Sequence, residues 1–288
     1  MNSPYVRRLR LAHELRELRK ESGLTHEQLA KKIGQSRAQI SRLENGHVVD
    51  LDDVMKILEV FGVVDDERWT GVMTIAREAS ERGWWESNRA MGERQALSAN
   101  LEAGAASIRE FQMIFIPGLL QTPEFARARV DAETALGPVD YSADRAAEGR
   151  VGRQRMLRRP DGPTYDIVID ELAIRRASAP PEVLRAQLLH MAATVNGSPK
   201  MTAQVLPVTA SIEAYGMPRS AFSIYTFADP KDPRVVTVDT VTDDLVLTEV
   251  EYVSRYEDLF CRLREAAMPP EKSCDLLIEI AKSAAGRP

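Results

Sequence analysis

Arg37, Ala38, Gln39 and Arg42 stand within six residues of one another, long hydrogen-bond donors around one small apolar side chain. A guanidinium fork matches O6 and N7 of guanine, a carboxamide matches N6 and N7 of adenine, and a methyl side chain packs on the methyl group of thymine. That set suits the reading of base edges in double-stranded DNA, provided one rigid element carries it into a major groove. Gln28, Ser36, Asn45 and His26 lie close by in sequence and supply candidate phosphate contacts, together with backbone amides at a helix start.

Other chemistries find no matching pattern. His13, His26, His47 and His190 are scattered, and Cys261 and Cys274 are thirteen residues apart, so no zinc spacing exists. There is no Gly-x-Ser-x-Gly elbow, phosphate-binding glycine loop or dinucleotide fingerprint. His190 falls in the helical run LRAQLLHMAATV, and the acid pairs Asp170-Glu171 and Asp243-Asp244 suit caps or turns. Catalytic residues, metal ligands and a cofactor are therefore not expected. The two cysteines are expected to be free buried thiols of a reducing compartment.

The elements that would position the DNA-reading set are legible nearby. Thr25 with Gln28, and Ser36 with Gln39, have the spacing of two capping boxes, with Gly34 between them to turn the chain. Leu29, Ala30 and Ile33 give the first helix an inner face; Ile40 and Leu43 give one to the second, leaving Arg37, Ala38, Gln39, Ser41 and Arg42 outside. Upstream, a helix from Ser3-Pro4 to about Glu21 has Leu11, Leu15 and Leu18 inside and Arg7, Arg8, Arg10, Arg16, Arg19 and Lys20 outside. Downstream, Asp50 opens a helix with Leu51, Val54, Leu58 and Phe61 at helical spacing, closed by Gly62.

Residues 25–46, ending in Leu43-Glu44-Asn45-Gly46, resemble the helix-turn-helix domain of the phage-repressor and Xre-type regulators. The resemblance implies base contacts by Arg37, Ala38, Gln39 and Arg42. His26 stands where many of these relatives carry Gln, which would make that contact pH-dependent.

The net charge of −5 conceals a gradient. Up to Arg42 there are ten Lys or Arg against four Glu, a net of +6, whereas residues 43–64 carry a net of −4. A basic face on an acidic body suits phosphate contacts, but one weakly basic domain binds poorly, so two copies acting together are expected. No stretch approaches about eighteen consecutive apolar residues, and the N-terminus lacks the apolar run of a signal peptide, so the protein is expected in the cytoplasm without a membrane partner.

Three segments follow from the pattern: a helix-turn-helix domain over 1–64, a connector over 65–89 and a larger α+β domain over 90–288. The connector holds an amphipathic helix over 65–80, then Trp84 and Trp85 beside Gly83. That pair either packs against the next domain or walls a small-ligand pocket. A helix is expected over 90–110, a strand over 111–116, and helices over 122–135 and 142–159. The last of these carries Arg145, Arg150, Arg153, Arg155, Arg158 and Arg159, readable as a solvated face, a second phosphate surface or a docking site for an acidic partner. A strand over 165–169 and a helix over 180–195 come next. Strands over 202–206, 222–227, 235–238 and 245–250 and helices over 253–267 and 270–285 complete a mostly antiparallel sheet covered by helices.

The run NLEAGAASIREFQMIFIPGLLQTPEFARA at Asn100 to Ala128, Arg153-Gln154, Tyr165 through DELAIRR at Asp170 to Arg176 and the segment around Phe222 to Pro230 resemble the domain of unknown function in WhiJ-like or Scr1-type actinobacterial regulators, often described as antitoxin-like. The resemblance implies a transcriptional regulator, commonly encoded beside a small acidic protein thought to be its partner. The expectation is a homodimer that binds a two-fold DNA site. Its rivals are a protein that sequesters a small acidic partner and a ligand-gated switch, with Trp84, Trp85, Arg150 and Arg153 as partner or ligand candidates.

Overall fold

Five side-chain caps divide residues 3–80 into helices. The side chains of Ser3, Thr25, Ser36, Asp50 and Asp65 each accept a backbone N–H from the first helical turn that follows. They open α1 (Pro4–Glu21), α2 (His26–Ile33), α3 (Arg37–Leu43), α4 (Leu51–Val60) and α5 (Asp66–Ser80). Each cap satisfies a donor that would otherwise lack a partner at the helix start.

The computed structural model describes residues 2–47, 50–87, 92–135, 143–240 and 244–284. The expected element ends at residues 90, 142 and 285, and Asp243, lie outside the described residues. The chain forms two units: Met1–Ser87 with Phe227–Pro233, and Asn88–Thr226 with Arg234–Pro288.

In the first unit one apolar core holds Leu11, Leu15 and Leu18 of α1, Leu29, Ala30 and Ile33 of α2, Ile40 and Leu43 of α3, and Val54, Ile57 and Leu58 of α4. Helix α5, expected from the sequence to be a connector, contributes Val72, Met73, Ile75, Ala76 and Ala79 to this same core. The short α6 (Trp84–Ser87) ends the run.

The second unit is an α/β domain built on a six-stranded mixed sheet flanked by helices. Its elements, in order, are α7 (Glu93–Gly104), β1 (Ala105–Gln112), α8 (Pro123–Thr134), α9 (Ala143–Leu157), β2 (Thr164–Asp170), α10 (Glu171–Arg175), α11 (Pro181–Asn196), β3 (Met201–Leu206), β4 (Phe222–Phe227), β5 (Val235–Val238), β6 (Leu245–Leu247), α12 (Val250–Ala266) and α13 (Pro270–Ala284). The strand order is β3-β2-β1-β4-β5-β6. Strands β1, β2 and β3 pair in parallel, with Ile108 opposite Tyr165 and Tyr165 opposite Met201. Strands β4, β5 and β6 pair antiparallel.

The two faces of this sheet differ. Phe111, Val168, Phe222, Ile224, Val236 and Val238 pack with Val253, Phe260 and Leu263 of α12 in an apolar core. The alternate residues of the same strands include Glu110, Gln112, Tyr165, Ser223, Tyr225 and Thr237, all buried, so the opposite face is partly polar. Gln112 donates to Glu110 Oε1 at 2.9 Å and the Tyr165 hydroxyl donates to Glu110 Oε2. Burial pushes the Glu110 carboxyl up to about 7 against the pull of those two hydrogen bonds.

Several expectations require correction. The helix expected over 90–110 ends at Gly104, and the strand expected over 111–116 occupies Ala105–Gln112 instead. Leu97, Leu101, Ala105 and Ile108 keep a helical spacing, but β1 is the central strand between β2 and β4. Ladder pairing with residues far along the chain outweighs that local period. Strand β6 stops at Leu247 and α12 starts at Val250, so the expected strand over 245–250 is shorter and the following helix earlier. Cys274 is buried as expected, whereas Cys261 is half-buried; both are free thiols.

Candidate nucleic-acid interface

The turn between α2 and α3 is set by its caps. Thr25 Oγ1 accepts the Gln28 N–H at 3.2 Å and Gln28 Oε1 accepts the Thr25 N–H at 2.9 Å, a complete capping box. Gly34 ends α2 in the left-handed region at φ 74°, returning its N–H to the Ala30 carbonyl. Ser36 Oγ accepts the Gln39 N–H at 3.1 Å and opens α3. Gln35 Nε2 donates to Asp53 Oδ1 at 2.8 Å, tying the turn to α4.

On α3 the inner residues Ile40 and Leu43 are buried, while Arg37, Ala38 and Arg42 are exposed and Gln39 is half-exposed. Arg42 donates from Nη2 to Gln39 Oε1 at 2.7 Å. The second capping box expected from the sequence is therefore half made: the Gln39 backbone uses Ser36, but its side chain pairs with Arg42. The two side chains stand together on the outer face, one turn apart.

The four candidate phosphate residues have intramolecular partners. Gln28 and Ser36 serve the caps, and Asn45 donates from Nδ2 to the Ser41 carbonyl at 2.7 Å, closing the end of α3. His26 Nε2 lies 3.0 Å from Glu44 Oε2, so this side chain is held by a carboxylate of its own chain.

Glu44 is the hub that sequence reasoning missed. It is buried, and Arg19 grips both its oxygens, with Nε to Oε1 at 2.6 Å and Nη2 to Oε2 at 2.9 Å. Arg16 adds a hydrogen bond to the Glu44 carbonyl. Burial alone would raise this carboxyl, yet the hydrogen bonds from Arg19 and His26 hold it below the ordinary value of 4.5. The network joins α1, the start of α2 and the end of α3. Its only sequence signal was an acid after an apolar residue, Leu43-Glu44, directly behind the basic run that ends at Arg42.

The α1 arginines expected on the outside are largely used within the unit. Arg7 is buried and pairs with Glu78 at 2.9 Å and with Asp232 at 3.1 Å, and Arg10 pairs with Asp229 and Asp232. Asp229 and Asp232 also accept from Arg7, 222 and 225 positions along the chain, beyond any local pattern. On α2 and α3, Lys31, Lys32, Arg37 and Arg42 are exposed cations.

The other candidates separate from this site. Trp85 is buried, its ring 6.0 Å from that of Trp84 in an edge-on arrangement, and a Cβ on Gly83 would meet it at 2.2 Å. Packing is thus the role the surroundings give Trp85. In the second unit Arg153 is buried and bidentate to Glu102, with Nε to Oε2 at 2.8 Å. Arg150 fills the space beside Gly118, where a Cβ would lie 2.2 Å from its Nη1. The guanidinium is pushed down to about 10 by burial and by Arg153 next to it.

A capped two-helix turn that buries one face of α3 and exposes arginines and a carboxamide on the other defines a helix-turn-helix DNA-binding head. Residues 15–67 match the family described as Helix-turn-helix, which supports a DNA-binding regulator of Xre-like type. Residues 95–279 match the family described as Domain of unknown function (DUF5753), and the chain belongs to that family. No curated protein and no solved structure shows a significant match to the chain. Among the described residues no helix is long and apolar enough to cross a membrane.

Proposed function

We propose that this protein is a sequence-specific transcriptional regulator that binds a two-fold DNA site as a homodimer, through Arg37, Ala38, Gln39 and Arg42, with the second domain dimerising or sensing a partner. The observation that carries the reading is the outer face of α3, where Arg42 and Gln39 are joined at 2.7 Å beside exposed Arg37 and Ala38. Two copies on one duplex place their recognition helices one helical turn apart, about 34–36 Å, or a multiple of it. Selection from a random duplex library tests this. An inverted repeat with half-sites at that spacing supports the reading, and recovery of a single half-site or of unrelated sequences opposes it.

A second reading rests on the end of α9, where Arg155 in the helix and Arg158 just after it are exposed while Arg153 is buried. On this view the chain sequesters a small acidic protein, and DNA binding is autoregulatory. Co-purification of such a protein, lost in an Arg155→Glu, Arg158→Glu variant, is its test.

A further inference from the structure

The connection from β3 to β4 has an unusual course. Strand β3 lies at one edge of the sheet and β4 lies beyond β2 and β1, so residues 207–221 must cross the ends of those two strands. The crossing occurs at the C-terminal ends of the parallel strands, since β3 leaves the sheet there. Residues that follow each parallel strand at that end are apolar and exposed: Ile114 and Phe115 after β1 at 51% and 47%, Leu172 after β2 at 48% and Val208 after β3 at 61%. The crossing segment adds Tyr215 at 90% and Met217 at 65%.

Two features argue that this face is built for contact. Ala214 and Tyr215 are consecutive non-glycine residues in the left-handed region, at φ 54° and 55°, a conformation that side chains with a Cβ disfavour. Strain of this kind clusters at binding sites, and here it presents Tyr215, the most exposed large apolar residue among the described residues of the second unit. The segment is also pinned: the Val208 N–H donates to Glu171 Oε2 at 3.0 Å, and Ile212 is buried in the core under α12.

We infer that this end of the sheet is the dimerisation face, and that its occupant is a second copy of the chain. The inference rests on the two-fold reading above and names the surface that reading requires. The six residues expose on the order of 800 Å², about what each partner contributes to a standard-sized interface. The first unit offers no comparable surface: among its described residues Val64 is the one large apolar side chain with high exposure. The charges near the face are of both signs, with Glu171 beside Arg175 and Glu213 beside Arg262. A two-fold axis sets such a rim against its own complement, whereas a strongly charged partner would call for one sign.

The test is sedimentation equilibrium of the full-length chain up to about 100 μM protomer, since dimer population depends on concentration. Three samples are compared with wild type: the pair Tyr215→Ser with Met217→Lys, Val208→Lys at another part of the face, and Tyr252→Ser away from it. Near-ultraviolet circular dichroism reports whether each is folded. The inference expects a wild-type dimer, a rise of at least about tenfold in the dimer dissociation constant for the two face variants, and no change for Tyr252→Ser. A wild type that stays monomeric overturns it. So do face variants that dimerise as tightly as wild type; if these still bind an inverted repeat, the regulator reading stands and only the surface is wrong. Variants that remain dimeric but shed a bound acidic protein overturn it too, and give the face to that partner.

Discussion

Arg42 donates to the Gln39 side chain across one turn of α3, at 2.7 Å. The pair is a preformed arrangement of guanidinium and carboxamide on an exposed helix face, and Gln39 is available for it because Ser36 is served by the Gln39 backbone alone. Arg42 orients the Gln39 amide, and Gln39 limits the rotamers of Arg42, so their contributions to DNA reading should be coupled. Arg42→Ala is expected to lose roughly 1–3 kcal/mol of discrimination at one base pair. A double-mutant cycle with Gln39→Ala, read by competition binding, should give a coupling of about 0.5 kcal/mol or more; strict additivity would show that the hydrogen bond does not persist on DNA.

Breaking the Glu44 hub should unfold the head before it alters any contact. Glu44→Gln leaves the half-buried Arg19 against a neutral amide, an expected loss of about 2 kcal/mol in urea unfolding of the first unit. The pH dependence follows from the direction of the shift. The folded-state carboxyl lies below its ordinary 4.5, so its contribution is complete above that value and is lost as pH falls through the folded value. In Glu44→Gln that acid-side loss should be absent; an unchanged acid limb would mean that other carboxylates set it.

Glu110 has the opposite sign. Its carboxyl is raised to about 7, so the stability it supports is full below about 4.5 and declines as pH rises to about 7. Glu110→Gln removes the buried charge and keeps one acceptor oxygen, for Gln112, while the Tyr165 hydroxyl can turn to accept from the new amide NH2. Stability of the second unit at pH 8 should then rise by about 2–3 kcal/mol relative to wild type, with little difference at pH 4.5. A variant less stable at both values would show that the ionised form is wanted.

Gly34 is a backbone requirement and not a packing one. Nothing lies within 4 Å of where its Cβ would be, and its φ is +74°. Gly34→Ala should therefore cost about 1–2 kcal/mol from conformation alone, and Gly34→Asn less, because Asn tolerates the left-handed region. Equal costs for both would point to a contact that the free head does not show.

The head was more legible than the larger domain for a physical reason. Its caps, its glycine and its apolar spacings act within a few residues, so Thr25, Gly34, Ser36, Ile40 and Leu43 could be placed from the chain alone. Many of the charged groups could not. Arg7 and Arg19 have the look of solvated helix arginines until Asp232 and Glu44 arrive from elsewhere in the chain. Strand β1 was hidden for the same reason: its identity comes from β2 and β4, while its own alanines and spacing favour a helix. The exposure of Arg37, Ala38 and Arg42 on the outer face of α3 was legible because few partners within the chain bear on them.

Selection of bound genomic fragments by the full-length protein at a fixed salt concentration, with Arg37→Ala and Arg42→Ala beside wild type, tests the central claim most directly. The account predicts one inverted-repeat motif for wild type, lost or degraded in both variants while their folding and weak salt-sensitive binding persist. A wild type that selects no motif, or variants that select the same motif equally well, would contradict it.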